Sequence, residues 1–279
     1  MPDSLLKCVG FLSHDNPTPV YIGTFFVVGI PGKYGNTFPH AVTARHVAEN
    51  VDGGPFCFGV NFRDNKAGWL RSEIKWWYHP TEPNQDVAVT VMNPSERTDM
   101  EYIPEGIFAT EEAIQRYNIG LGDEISLIGL FTNFVGTSKH FPVVRTGNIA
   151  MMPSDKVPME DGPMEVYLAE GRSIGGLSGS PVFVRPTTRI IGLGNEQGPQ
   201  TVFGVGGFYF LGLMRGHWDL PLGVEVGHAE AVNMGISIVV PAKKVLETLY
   251  HPELVALRDE QDDRRKADGA GDPPLRCGG

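Results

Sequence analysis

The sequence predicts an all-β fold made of short antiparallel strands in the rhythm of a closed barrel. Three observations predict it. Glycine (35) and proline (22) are both abundant in the 279 residues, which favours many short strands and turns over long helices. Apolar, β-branched and aromatic runs recur at short intervals, each bounded by Gly, Pro, Asn or Asp. One stretch alone, near the C-terminal end, carries a convincing helical pattern. Hydrophobic residues make up 41% and charged residues 20%, so a substantial core is expected.

The elements follow in order. "VYIGTFFVVGI" reads as a strand that ends at the turn "PGKYGN". "HAVTARHV", "FCFGVNF", "EIKWWYH" and "DVAVTVM" repeat the pattern. Trp76 and Trp77 read as strand core and surface rather than a binding platform. The stretch "ERTDMEYIPEGIFATEEAIQRYNIGLGDE" breaks the rhythm with a short helical candidate, Glu111 to Tyr117, and reads as a connection between two halves. Strands resume with "EISLIGLF", "FPVVRTGNIAMM", "MEVYLAE", "GSPVFV", "RIIGLG", "FYFLGLM" and "MGISIVVP". "PAKKVLETLYHPELVALRDE" is the helix, with proline at its start, where a missing N–H costs nothing. Val245, Leu246, Leu249, Leu254, Val255 and Leu257 give it an apolar face. From Asp259 on the chain is charged and then Gly/Pro-rich, the composition of a flexible tail.

Charge and cysteine content narrow the function classes. The formal net charge of −10 argues against nucleic acid or an anionic membrane surface as the main partner. Cys8, Cys57 and Cys277 are far apart and odd in number, so no disulfide framework is expected, and no Cys/His spacing suggests a structural metal. No apolar run is long enough for a transmembrane helix, and the first residues lack the pattern of a secretory signal. These features lead to the expectation of a cytoplasmic protein. The histidines His79, His140 and His228 lack ligand spacing and read as surface residues. "GVGGFYF" has neither the glycine spacing nor the following helix of a dinucleotide site.

Three residues, in chain order, carry the chemistry of nucleophilic catalysis. His46 lies in "TARHV", Asp86 opens the strand-like run "DVAV" 40 residues later, and Ser178 lies in "GLSGSPV" a further 92 residues on. A serine hydroxyl is a weak nucleophile until a base removes its proton, and the base needs an acid to orient it. Small neighbours around Ser178 let a carbonyl approach, and the N–H groups of Gly176 and Ser178 can face a developing oxyanion.

The three motifs, in this order and spacing, resemble the chymotrypsin-like serine peptidases, over about Tyr21 to Leu249. The resemblance implies two perpendicular six-stranded β-barrels with the site in the cleft between them. The chain then divides into an N-terminal barrel, 1–110, with His46 and Asp86; a C-terminal barrel with its helix, 111–258, with Ser178; and a flexible tail, 259–279. It also implies a serine endopeptidase acting on protein or peptide substrates, with Ser178 as nucleophile, His46 as base and Asp86 as orienting acid. Gly176 and Ser178 would form the oxyanion hole, and neither metal nor organic cofactor is needed.

The sequence departs from the family in several places. Leu177 stands where the digestive enzymes carry an Asp that pairs with a freshly cut N-terminus, and no Ile-Val-Gly-Gly-type site is present, so no zymogen cleavage is expected. "GLSGSPVF" is closest to the block of bacterial glutamyl endopeptidases, but Met214 replaces the His that helps those enzymes hold an acidic side chain. Arg172, at the expected base of the specificity pocket, and His217, near its wall, suggest an acidic residue before the scissile bond; alternatively, Arg172 pairs with Glu170 or another acid. Met214, Arg215, Gly216 and His217 fall on the strand that lines that pocket. Arg215 stands where many relatives place Ser or Thr; so long a cation either competes for the Asp86 carboxylate or points outward. Two other readings stay open. One is a catalytically silent or gated protein of this fold that binds peptide or protein. The other, an α/β-hydrolase using Ser178, Asp219 and His228, has the right chain order but lacks repeated β-α units. Substrate, activating partner and oligomeric state are not specified by the sequence.

Overall fold

A computed structural model describes residues 1–171, 176–187, 189–191, 200–202, 206–221 and 231–267. The first half holds strands β1 (Val9–His14), β2 (Tyr21–Pro31), β3 (Thr37–Thr43), β4 (Phe56–Asn61), β5 (Ala67–Ser72), β6 (Trp77–Tyr78), β7 (Ala88–Val91) and β8 (Ile103–Pro104). Helices α1 (Asp3–Leu6) and α2 (Arg45–Glu49) interrupt them. The strands run in the order β5-β4-β1-β2-β3-β7-β6, with β8 parallel to β2. This half therefore has eight strands rather than six, two of them only two residues long. The strands β1, β5 and β8 have no counterpart among the strand-like runs of the sequence. β5 (burial mostly intermediate or exposed) has no sustained apolar run to reveal it.

Helix α3 (Glu111–Tyr117) connects the halves where the sequence placed it. Thr110 caps it, accepting from the Ala113 N–H at 3.3 Å, and Asn118 ends it at φ +52°. The second half holds β9 (Glu124–Gly129), β10 (Val143–Met151), β11 (Lys156–Val157), β12 (Met164–Glu165), β13 (Tyr167–Glu170), β14 (Pro181–Arg185), β15 (Arg189–Ile191), β16 (Gln200–Val202), β17 (Tyr209–Pro221) and β18 (Ala231–Pro241). Six of these close a barrel, β10-β13-β18-β17-β14-β9. Alternation shows on β10, whose outward residues reach solvent while Ile149 is buried. β2 is buried on both faces for eight residues, because it lies between the two halves. The largest apolar cluster accordingly joins Phe25, Phe26 and Phe58 of the first half to Phe183, Phe210 and Val240 of the second. Trp76 and Trp77 are both buried, and Cys8 and Cys57 are free thiols in the interior.

The C-terminal helix is two helices, α4 (Ala242–Leu249) and α5 (Pro252–Ala267). Pro252 has no N–H to continue α4 and disfavours helical backbone at His251, so the chain breaks there and restarts. The expected tail from Asp259 is corrected over residues 259–267, which complete α5. Composition hid this because one polar side chain there acts as an anchor: Asp262 is buried and accepts from the Lys33 N–H at 2.6 Å, while Glu260 and Arg264 pair on the exposed face of the helix at 2.6 Å. Residues 268–279, with Cys277, lie outside the described residues. No helix among the described residues is long and apolar enough to cross a membrane.

Candidate active site

His46 sits in the first turn of α2, just past β3. Its helix has no side-chain cap of its own at Ala44. Asp86 supplies one from 40 residues away, accepting the His46 N–H at 3.0 Å. The same carboxylate faces His46 Nδ1 at 3.1 Å (Oδ1) and 2.9 Å (Oδ2). An ionised carboxylate only accepts, so Nδ1 carries the proton and donates. Nε2 is then the basic nitrogen, on a side chain 48% exposed, while Asp86 is only 6% exposed. One carboxylate thus fixes both the backbone and the ring of the histidine.

The segment that carries Asp86 is held by α4. His79 Nδ1 accepts from the Glu82 N–H at 3.1 Å, so its Nε2 donates to Glu247 Oε2 at 2.7 Å. Lys244 pairs with Glu82 and, at 3.2 Å, with Glu247. Burial pulls the Lys244 ammonium down, but its hydrogen bonds to the two glutamates outweigh this and hold it above the usual lysine range. His79, Glu82 and Glu247 lie close enough together to resemble a metal site. The Lys244 ammonium and the His79 hydrogen bonds already occupy those atoms. The expectation of surface histidines is corrected: His79 and His140 are both 7% exposed. His79 is buried because it fastens α4, and His140 because it packs among Phe11, Tyr21 and Trp69. His228 lies outside the described residues.

Ser178 lies in the turn before β14, between Gly176 at φ +93° and Gly179 at φ +84°. Both glycines occupy left-handed backbone that a side chain would strain. At Gly179 a Cβ would also overlap the carbonyl of Thr24 and the hydroxyl of Thr43. The turn is clamped from both halves. On one side the Thr24 N–H donates to the Ser178 carbonyl at 3.0 Å, and Thr24 Oγ1 donates to the Gly176 carbonyl at 2.8 Å while accepting the Leu130 N–H at 2.9 Å. On the other side the Gly179 N–H donates to the Met214 carbonyl at 2.9 Å. Among the described residues, the N–H groups of Gly176 and Ser178 donate to no protein acceptor.

Ser178 Oγ donates to the Arg215 carbonyl at 3.1 Å, not to His46. Arg215 itself reaches back over Asp86, with Nε 3.5 Å from Oδ2 and Nη2 2.7 Å from Asp161 Oδ2. The two expectations for this cation combine: it contacts the Asp86 carboxylate and also reaches outward to the exposed Asp161. Arg215 thus links the serine, through its carbonyl, to the aspartate, through its guanidinium. Sequence reasoning named neither Thr24 nor Asp161. Thr24 is one threonine in an apolar strand, and Asp161 one acid in a polar turn.

The remaining pocket residues divide. Met214 is corrected: it is fully buried in the barrel core, because the strand alternation that presents Arg215 turns its neighbour inward, so its side chain lines no open pocket. Gly216 has open space beside it, and His217 is half-buried. Arg172 lies outside the described residues, as does the side chain of Asp219.

Two solved structures share this fold. The chain aligns with the crystal structure of the MamO protease domain from Magnetospirillum magneticum (apo form) over 87% of its own length and 96% of that chain, with TM-score 0.52 and 12% identity. It aligns with the crystal structure of Deg5 over 88% of each chain, with TM-score 0.50 and 12% identity. No protein-family model and no curated protein matches the chain. At these identities the likeness is one of fold: the chain folds as the chymotrypsin-like serine proteases do, and its mostly β architecture with a closed six-strand barrel excludes an α/β-hydrolase.

Proposed function

We propose that the chain is a serine endopeptidase acting on protein or peptide substrates. The observation that carries the reading is the His46–Asp86 pair, in which one buried carboxylate holds the half-exposed ring by Nδ1 and leaves Nε2 as the basic nitrogen. On this reading Ser178 rotates from the Arg215 carbonyl toward His46 Nε2 when substrate binds. His46 takes the hydroxyl proton as Oγ attacks the scissile carbonyl. The N–H groups of Gly176 and Ser178 receive the oxyanion. His46 then gives the proton to the leaving amine, and water, activated by the same base, releases the acyl group. Asp86 stabilises the imidazolium throughout. The test is digestion of a denatured-protein mixture with mass-spectrometric mapping of new termini. New termini with wild type and none with Ser178→Ala support the reading; equal patterns from both overturn it.

One observation favours the second reading, a gated or catalytically silent binding module. Ser178 is hydrogen-bonded to Arg215 rather than to His46, and Arg215 competes for Asp86. Wild type that binds peptides with no turnover under any added partner would support that reading. A cytoplasmic location remains part of the proposal, checked by fractionation of the native host.

A further inference from the structure

A cavity of about 320 Å3 lies between α5 and the edge formed by β3 and β7. These strands pair with His40 opposite Val91, and the cavity is at the end of the pair away from His46 and Asp86. Its volume is at the small end of the range for ligand sites. Phe38, Met92, Leu254 and Leu257 give it apolar walls. Three arginines line it, Arg258, Arg264 and Arg265, and no carboxylate does, in a chain of net charge −10.

Arg258 is the unusual member. It is 7% exposed and forms no ion pair among the described residues. Its Nη1 donates to the Leu249 carbonyl at 2.9 Å and to His40 Nε2 at 3.2 Å. His40 Nδ1 donates to the Phe38 carbonyl at 2.9 Å, which leaves Nε2 as acceptor on a neutral ring. Burial and the neighbouring guanidinium hold that ring neutral, with its pKa pulled down to about 4. Both acceptors of the guanidinium are therefore uncharged. The nearby acids are committed elsewhere: Asp259 to Lys33 at 3.1 Å, Glu105 to Tyr250 Oη at 3.1 Å, and Asp262 to the Lys33 N–H at 2.6 Å. Arg264 has Glu260 at 2.6 Å, and Arg265 stacks over Phe38. The Arg258 guanidinium also lies over the Tyr250 ring at 5.3 Å, and Asp259 and Glu105 act on it at a distance, yet neither carboxylate pairs with it. A buried cation with no carboxylate in contact is costly unless an anion completes it.

We propose that this cavity binds a small organic carboxylate, with its charge on Arg258 and its hydrocarbon body against Met92, Leu254 and Leu257. One guanidinium with no carboxylate in direct contact suits one negative charge, and the apolar walls exclude a fully hydrated ion. Asn93 and Gln261, also in the lining, offer amides to the second carboxylate oxygen. The site is separate from Ser178 and does not rest on the peptidase reading.

The test is calorimetric titration of the full chain with hexanoate, hexanol and inorganic phosphate. Hexanoate is expected to bind with one-to-one saturation, and hexanol at least about tenfold more weakly, as it lacks the charge-assisted hydrogen bonds. Arg258→Met is expected to weaken hexanoate at least about tenfold, the loss of its charged anchor. Because that variant can misfold, Gln261→Trp is the partner test: it keeps Arg258 and fills the mouth of the cavity, and it should block hexanoate with an unchanged melting curve. No saturable binding of hexanoate, or equal binding of hexanol, would overturn the proposal. So would binding that neither variant changes, and so would binding of phosphate in preference to hexanoate.

Discussion

Thr24 is where the two halves meet at the candidate nucleophile, and Thr24→Val removes one hydroxyl from that junction. The hydroxyl donates to the Gly176 carbonyl at 2.8 Å and accepts the Leu130 N–H at 2.9 Å. Valine has nearly the same shape, so the variant isolates the loss of two hydrogen bonds. The Leu130 N–H is buried and keeps no alternative; an orphaned buried group costs about 1–3 kcal/mol. The Gly176 carbonyl is only part-buried and water can rescue it, and the added methyl returns about 0.8 kcal/mol. The net expectation is a loss of about 2 kcal/mol. For a chain of this size that lowers Tm by about 4–8 °C. Thr24→Ser keeps the hydroxyl and loses one methyl, so it should fall by less. The assay is urea unfolding with a thermal melt on all three proteins. If Thr24→Val stays within about 0.5 kcal/mol of wild type, the reasoning that this hydroxyl joins the halves is refuted. If Thr24→Ser is the worse variant, packing rather than hydrogen bonding governs the position.

Three further outcomes are expected. Arg215→Ser should raise kcat/KM about tenfold, some 1.4 kcal/mol, by freeing Asp86 to stabilise the imidazolium; a fall would show that the guanidinium assists the site instead. Gly179→Ala should destabilise by about 3 kcal/mol, since its φ of +84° and the overlap with the Thr24 carbonyl act together; a soluble variant with an unchanged melt would contradict this. His40 should make the fold acid-sensitive. Burial, then the Arg258 charge, depresses its pKa from 6.5 to about 4. Below pH 6.5 the unfolded chain therefore binds a proton that the native state refuses, so stability is full above that pH and is lost as pH falls toward 4. The loss is about 3 kcal/mol, and His40→Gln should flatten it; identical pH profiles would exclude His40 as the source.

Much of the site was legible in the sequence because its residues sit in short, locally constrained segments. His46 and Asp86 each adjoin a strand whose apolar pattern is unmistakable, β3 and β7, and Ser178 sits between glycines whose positive φ the turn requires. The closeness of Arg215 to Asp86 is one of two outcomes that the resemblance suggests, because relatives place Ser or Thr at that position. What stayed hidden depends on distant partners. Nothing in "IGTFF" marks Thr24 as a bridge to residues 106 and 152 positions away. His79 looked like a surface residue because its partner, Glu247, lies 168 positions on. From Asp259 on, α5 looks like a solvated charge run, although Asp262 points inward. The buried face of a polar helix has no period that hydropathy can show.

The central claim is that His46 activates Ser178. The direct measurement is labelling by a fluorophosphonate, which traps activated serines, read as the intact mass of wild type, Ser178→Ala and His46→Ala. The account predicts a single adduct on wild type and none on either variant. Folded wild type that stays unlabelled, or a His46→Ala variant that labels as fast as wild type, would contradict it.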